Sequence, residues 1–344
     1  MKRILIFVSL LWGLFSVQSL AESLVYDYNG LKRSYFYYEP DTPHEGVCGT
    51  FSLDDKYPEV CITVDAPEEL DSSKQTEIIF YALPNGNSIV WTAGKRMTEG
   101  DDWHYDIQHI AAQTKFLRAK CPDRNIVTVY LADRMRSWTT WRRRHADILP
   151  ETLPAIIGDI AGMYAEYDPH ITLSSHSGGG YFLFEYIRTA EKIDPRITRF
   201  AFLDSTYGYT REDHCAKLTE WLRDRKHYIS VISYEDSSVI YDGKPLVSKE
   251  GGTWGRSHAM LRDLGETYKI KVKQDGEWDL CRGLGGRISL KLLHNPDGKI
   301  YHTVLVEKNG FIDSFLSGTR PEGKGYRLWG ERAYTDLIPE KEIK

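Results

Sequence analysis

The chain has 344 residues, 44 lysines and arginines against 49 aspartates and glutamates, and a formal net charge of -5. That balance lacks the basic excess expected of a protein that holds nucleic acid or an anionic membrane surface, so both are disfavoured as partners. The length suits one α/β domain carrying insertions, and no repeat, low-complexity tract or Pro/Gly-rich linker marks a second.

In chain order, MKRILIFVSLLWGLFSVQSLAES comes first: Lys2 and Arg3 precede an apolar run from Ile4 to Val17, and Ser19-Leu20-Ala21 supplies a small-x-small cleavage pattern. This reads as an export signal over residues 1–21. The run is shorter than the roughly 20 apolar residues of a spanning helix, and YDYNGLKR follows without a stop-transfer pattern. The mature protein is therefore expected to start near Glu22, with no membrane span and no lipid anchor, and to reside in a periplasm or outside the cell. Five cysteines (Cys48, Cys61, Cys121, Cys215, Cys281) fit an exported chain, and the odd count leaves at least one thiol over. Cys48 and Cys61 flank GTFSLDDKYPEV, which suggests a hairpin and leaves a disulfide across it open.

From Leu24 to Asp65 apolar and polar residues alternate, as in LKRSYFYYEP and EVCITVDAP, predicting antiparallel edge strands. Beyond Lys74 short apolar strands alternate with longer helical stretches, the pattern of a mostly parallel sheet with crossover helices. Strands are predicted at 77–83, 125–132, 171–176, 197–204, 227–234 and 287–294, and helices near 105–119, 150–166, 179–191, 211–225, 256–265 and 310–317. An insertion is expected over about 239–285, within one domain spanning 22–344.

After the strand at 125–132, DRMRSWTTWRRRHAD sets Arg134, Arg136, Arg142, Arg143 and Arg144 around Trp138 and Trp141. Loops at strand carboxyl ends border the ligand crevice of an open α/β sheet, so the two tryptophans are predicted to line a substrate rim.

The chemistry centres on TLSSHSGGGYFLF, Thr172 to Phe184, where an apolar strand gives way to a helix. Ser175-His176-Ser177-Gly178-Gly179 matches the small-x-Ser-x-Gly pattern of a nucleophile elbow, in which a strained turn exposes the serine and glycines allow close approach of the flanking elements. This stretch, with the strand and helix order from about 77 to 317, resembles the α/β-hydrolase superfamily. The resemblance implies an α/β-hydrolase fold: a mostly parallel central sheet, helices on both faces and antiparallel N-terminal edge strands. It also implies a triad in the order serine, acid, histidine.

On that order Ser177 is the candidate nucleophile and His302 the candidate base, ahead of His294, which finishes a strand; His258 reads as a surface helix residue. For the acid, Asp236 follows the strand at 227–234 and is preferred, with Asp204 its rival one strand earlier and Glu235 third. The oxyanion donors implied are the N–H of Gly178 and one from the loop Asn85-Gly86-Asn87, with Gly86 and Asn87 as candidates. The function expected is that of an exported serine esterase acting on a small-molecule or carbohydrate-linked ester, with no metal or organic cofactor. A peptidase or amidase on the same scaffold, or a non-catalytic binding protein, are the alternatives.

Overall fold

The computed structural model describes residues 25–28, 31–37, 47–52, 57–67, 69–101, 108–241, 243–248 and 250–339, the first three as backbone strands. The export signal expected over 1–21 and the first residues of the helix predicted at 105–119 lie outside these.

The chain enters through four antiparallel strands, β1 (Val25–Tyr28), β2 (Leu31–Tyr37), β3 (Val47–Ser52) and β4 (Val60–Ala66). The central run follows with β5 (Gln75–Ala82), α1 (Ile89–Ala93), α2 (Ile110–Lys120), β6 (Arg124–Asp133), α3 (Trp138–Arg144), α4 (Leu149–Gly162), β7 (His170–His176), α5 (Gly180–Thr189), β8 (Ile197–Leu203), α6 (Ala216–Trp221) and β9 (Tyr228–Tyr234). A small hairpin, β10 (Ile240–Tyr241) and β11 (Lys244–Pro245), leads to α7 (Thr253–Gly265), the hairpin β12 (Ile270–Asp275) and β13 (Trp278–Gly283), β14 (Ile288–Leu293) and α8 (Phe311–Leu316).

Twelve of these strands form one sheet in the order β1-β2-β3-β4-β6-β5-β7-β8-β9-β14-β13-β12. The six from β6 to β14 run parallel, and the ladders at both ends are antiparallel. All six strands predicted beyond Lys74 are present within a residue or two of their predicted bounds. The predicted helix at 211–225 is shorter: a wide π turn, Arg211–Cys215, leads into α6. Four elements were not predicted: α1, α3, the β10–β11 hairpin and the β12–β13 hairpin, the last of which extends the sheet beyond β14 within the expected insertion.

The six parallel strands are buried on both faces, which explains their continuous apolar runs. Along β5, Ile78, Phe80 and Ala82 face one layer with α4, α5, α6 and α7 residues such as Ile156, Phe182, Leu218 and Met260. Ile79, Tyr81 and Leu83 face the other, against Ile110 and Leu117 of α2 and Phe311, Ile312 and Phe315 of α8. Each fully buried aliphatic side chain stabilises this sandwich by about 1.5–3 kcal/mol relative to exposure. Rigid strand ends are the consequence.

The β3–β4 hairpin forms as expected, but its register excludes the disulfide left open across it. Cys48 pairs with Asp65 and Cys61 with Ser52. Four positions of strand separate the two cysteines, about 13 Å, beyond the reach of an S–S bridge.

Chain order and strand order diverge at β5. The chain leaves β5 for β6 on one side and returns to β7 on the other, so the carboxyl ends of β5 and β7 border the crevice that such a switch creates.

Candidate active site

β7 ends at His176 with extended backbone (φ -124°), and Ser177 turns to φ 53°, a left-handed conformation that costs a non-glycine residue about 1–2 kcal/mol. The three following glycines do not share that strain: Gly179 and Gly180 have ordinary helical φ of -58° and -56°. They are needed for space. A Cβ on Gly179 would fall 2.1 Å from the Ala82 carbonyl oxygen at the end of β5, and one on Gly180 would fall 1.8 Å from the Ser205 carbonyl oxygen beyond β8. Glycine thus lets α5 begin pressed between two strand ends, while the turn at Ser177 leaves that residue half-buried at the crevice.

His302 lies in the turn between β14 and α8. Its ring packs on that of His176, with centroids 4.6 Å apart, and its backbone carbonyl accepts a hydrogen bond from His176 Nε2 at 3.1 Å. The residue before Ser177 therefore holds the His302 segment against the elbow. Because a carbonyl only accepts, His176 carries its proton on Nε2. Burial, and secondarily the neighbouring His302, holds it well below the usual histidine range, so it stays neutral.

The Nδ1 of His302 meets Asp204 Oδ2 at 2.5 Å. Asp204 follows β8 with φ 43°, is fully buried, and donates its N–H to the Ile232 carbonyl at 2.7 Å. The expectation that Asp236 orients the imidazole is corrected by this geometry. Asp236 lies one strand further along and accepts the N–H groups of Thr253 at 2.7 Å and Trp254 at 3.3 Å, at the start of α7. A carboxylate so placed satisfies helix donors that have no intrahelical acceptor and meets the positive end of the helix dipole. Burial first, and then the charge of Asp204, push Asp236 up to about 6.

The remaining candidates lie apart from this pair. His294 Nε2 meets Asp279 Oδ2 at 3.0 Å, with its ring 5.1 Å from that of Trp254. Glu235 approaches His294 and the Asn295 N–H. His258 bonds the Trp254 carbonyl one turn back on α7.

Of the oxyanion candidates, the N–H of Gly178 stands in the turn entering α5, where N–H groups have no intrahelical acceptor. Gly86 does not fit its expected role, since its N–H is donated to the Arg136 carbonyl at 2.8 Å. Asn87 is half-buried in the same loop. The side chain closest to Gly178 is Asn85, which occupies the space a Cβ there would take, 2.2 Å from its Oδ1. The sequence offered only one signal for Asn85, its position beside the loop glycine.

Trp138 and Trp141 are core residues and not a rim, with 2% and 1% exposure. Trp138 packs edge-on against Phe182 of α5 at 4.9 Å, and the Trp141 indole N–H bonds the Pro58 carbonyl at 2.8 Å. The helical spacing that α3 imposes turns both inward. Two of the arginines beside them are engaged as well: Arg142 lies over the Tyr181 ring and pairs with Glu185 at 2.5 Å, and Arg144 pairs with Glu59 at 3.2 Å. Trp138→Ala should therefore cost about 3–5 kcal/mol of stability in urea unfolding, and a rim role would instead show as a raised KM at unchanged stability.

Among the described residues no group of three or more His, Cys, Asp or Glu is arranged to hold a metal ion, and no helix is long and apolar enough to cross a membrane.

A parallel sheet in which β5 lies between β6 and β7, antiparallel strands at its edges, helices on both faces and a sharp turn ending β7 together define an α/β-hydrolase fold. No protein-family model matches the sequence, and no curated protein does. Several solved hydrolases are similar in structure. A thermostable esterase is 15% identical with a TM-score of 0.42, over 86% of this chain and 63% of that one, so the chain spans under two thirds of its length. An IroE-like serine hydrolase from Shewanella oneidensis is 12% identical with a TM-score of 0.44, over 74% of each chain. A poly(3-hydroxybutyrate) depolymerase from Bordetella parapertussis is 10% identical with a TM-score of 0.45, over 79% of this chain and 89% of that one. None of these similarities assigns a role to a residue here.

Proposed function

We propose that the protein is a serine hydrolase that cleaves carboxylic esters through Ser177, His302 and Asp204. The observation that carries this reading is the contact between His302 Nδ1 and Asp204 Oδ2, formed beside a strained serine turn whose preceding residue grips the His302 backbone.

In this mechanism Asp204 fixes the imidazole with its proton on Nδ1, leaving Nε2 as the base. His302 Nε2 takes the Ser177 hydroxyl proton as Oγ bonds to the ester carbonyl carbon, and the electron pair moves to the carbonyl oxygen. The Gly178 N–H and a second donor from the Asn85–Asn87 segment stabilise that oxyanion. Collapse expels the alcohol, which receives the proton from His302, and a water activated by the same nitrogen releases the acid and restores the serine. The N-terminal segment would send the enzyme to a periplasm or outside the cell.

Phosphonylation by a fluorophosphonate probe tests the reading, with the modified residue located by peptide mass spectrometry. Labelling at Ser177, together with turnover of p-nitrophenyl acyl esters, is the expected result. Turnover of peptide amides in preference to esters would make the enzyme an amidase, and folded protein that neither labels nor hydrolyses would be a binding protein on this scaffold.

A further inference from the structure

His302 uses one oxygen of Asp204. The other accepts the hydroxyl of Thr253, the first residue of α7, and both side chains are fully buried. Thr253 is held at three further points. Its N–H is bound by Asp236 at 2.7 Å, its hydroxyl lies 3.2 Å from the same Asp236 oxygen, and its carbonyl accepts the Thr206 hydroxyl at 3.0 Å. Gly252 makes the docking possible, because a Cβ there would fall 2.4 Å from both Asp236 oxygens. Two carboxylates from neighbouring strand ends are thus joined through one threonine.

We infer that Thr253 is a positioning residue for the acid of the triad, with Asp236 anchoring the start of α7 so that the Thr253 hydroxyl is aimed at the Asp204 oxygen that His302 leaves open. This rests on the acyl-transfer reading above. A carboxylate held at one oxygen only can rotate about its Cβ–Cγ bond, and a second donor fixes the plane in which Oδ2 faces Nδ1. Around the two carboxylates stand His302, Glu235 next to Asp236 in the chain, and the Tyr207 and Tyr234 phenols, which both carboxylate charges reach.

The test compares Thr253→Val, which keeps the shape and loses the hydroxyl, with Thr253→Ser, which keeps the hydroxyl, on p-nitrophenyl acetate. Thr253→Val is expected to lose about 10- to 100-fold in kcat with KM within about twofold, and Thr253→Ser to stay within about threefold of wild type. The acid limb of kcat/KM supplies a readout that loosened packing would not reproduce. Without its donor Asp204 becomes more basic and stabilises the imidazolium, so the limb moves to higher pH in Thr253→Val.

Wild-type kcat with an unmoved limb in Thr253→Val overturns the inference, as does Thr253→Ser being impaired equally. Should Thr253→Val not fold, Thr253→Ala decides: a loss of about tenfold or more in kcat upholds the proposal and wild-type kcat overturns it. The downfield proton resonance of His302 Nδ1–H separates this inference from the functional reading. Wild-type protein that neither labels nor turns over sinks the esterase assignment, while a resonance that shifts in Thr253→Val still upholds the hydrogen-bond relay and one that does not shift overturns it.

Discussion

Ser177→Ala is expected to reduce kcat on an acyl ester by about 10⁶-fold, the scale seen when the nucleophile of a serine triad is removed. The two residues that precede it in the chain cannot replace the oxygen. His176 is buried and committed through Nε2 to the His302 carbonyl, and the Ser175 hydroxyl is buried against that of Ser205 at 2.8 Å. Stability should hardly change, because alanine keeps the same left-handed strain. Ser177→Gly, by contrast, should lose activity equally and gain about 1 kcal/mol in urea unfolding, since glycine adopts φ 53° without penalty. That pair of results would show a serine kept at a position that favours glycine. Activity of Ser177→Ala within tenfold of wild type would sink the assignment.

Asp204→Asn is expected to lower kcat by about 10⁴-fold at unchanged fold, and Asp236→Asn by far less. Asparagine can turn an amide N–H toward Nδ1, which favours the imidazole tautomer protonated on Nε2 and leaves no base facing Ser177. Asp236 touches the backbone of α7 and does not touch the imidazole, so its neutralisation acts only through charge and through the anchor of Thr253. Steady-state kinetics of the two variants, with circular dichroism as the control for folding, discriminates directly. The reverse ranking, with Asp236→Asn down about 10⁴-fold and Asp204→Asn near wild type, would transfer the role to Asp236.

How much of this was legible beforehand follows from the range of the interactions. The parallel strands stood out because burial on both faces demands unbroken apolar runs, and the elbow because a strained turn between strand and helix demands small neighbours at adjacent positions. Both signals are local. The β12–β13 hairpin gave little warning, because KVKQDGEWD carries mostly exposed side chains on an edge strand. The tryptophans of 138–144 misled because their composition fits a binding rim equally well, and only the helical turn of α3 directs them inward.

The choice between the two acids was of another kind. Asp204 and Asp236 each end an apolar strand of the parallel sheet, and as sequence they are nearly equivalent. Their roles separate only when α7, arriving from some 17 residues further along the chain, sets its first N–H groups on Asp236 and its threonine hydroxyl on Asp204. The oxyanion loop behaves likewise, since the Arg136 carbonyl, 50 residues distant, takes up the Gly86 N–H. Sequence alone determined the strand order of apolar runs, the elbow and the chain positions of a serine and a late histidine, because these depend on neighbours within a few residues. Tertiary structure decided which carboxylate meets the imidazole and which donors remain at the crevice, because a hydrogen bond is settled by whichever partner the packed helices bring within about 3 Å.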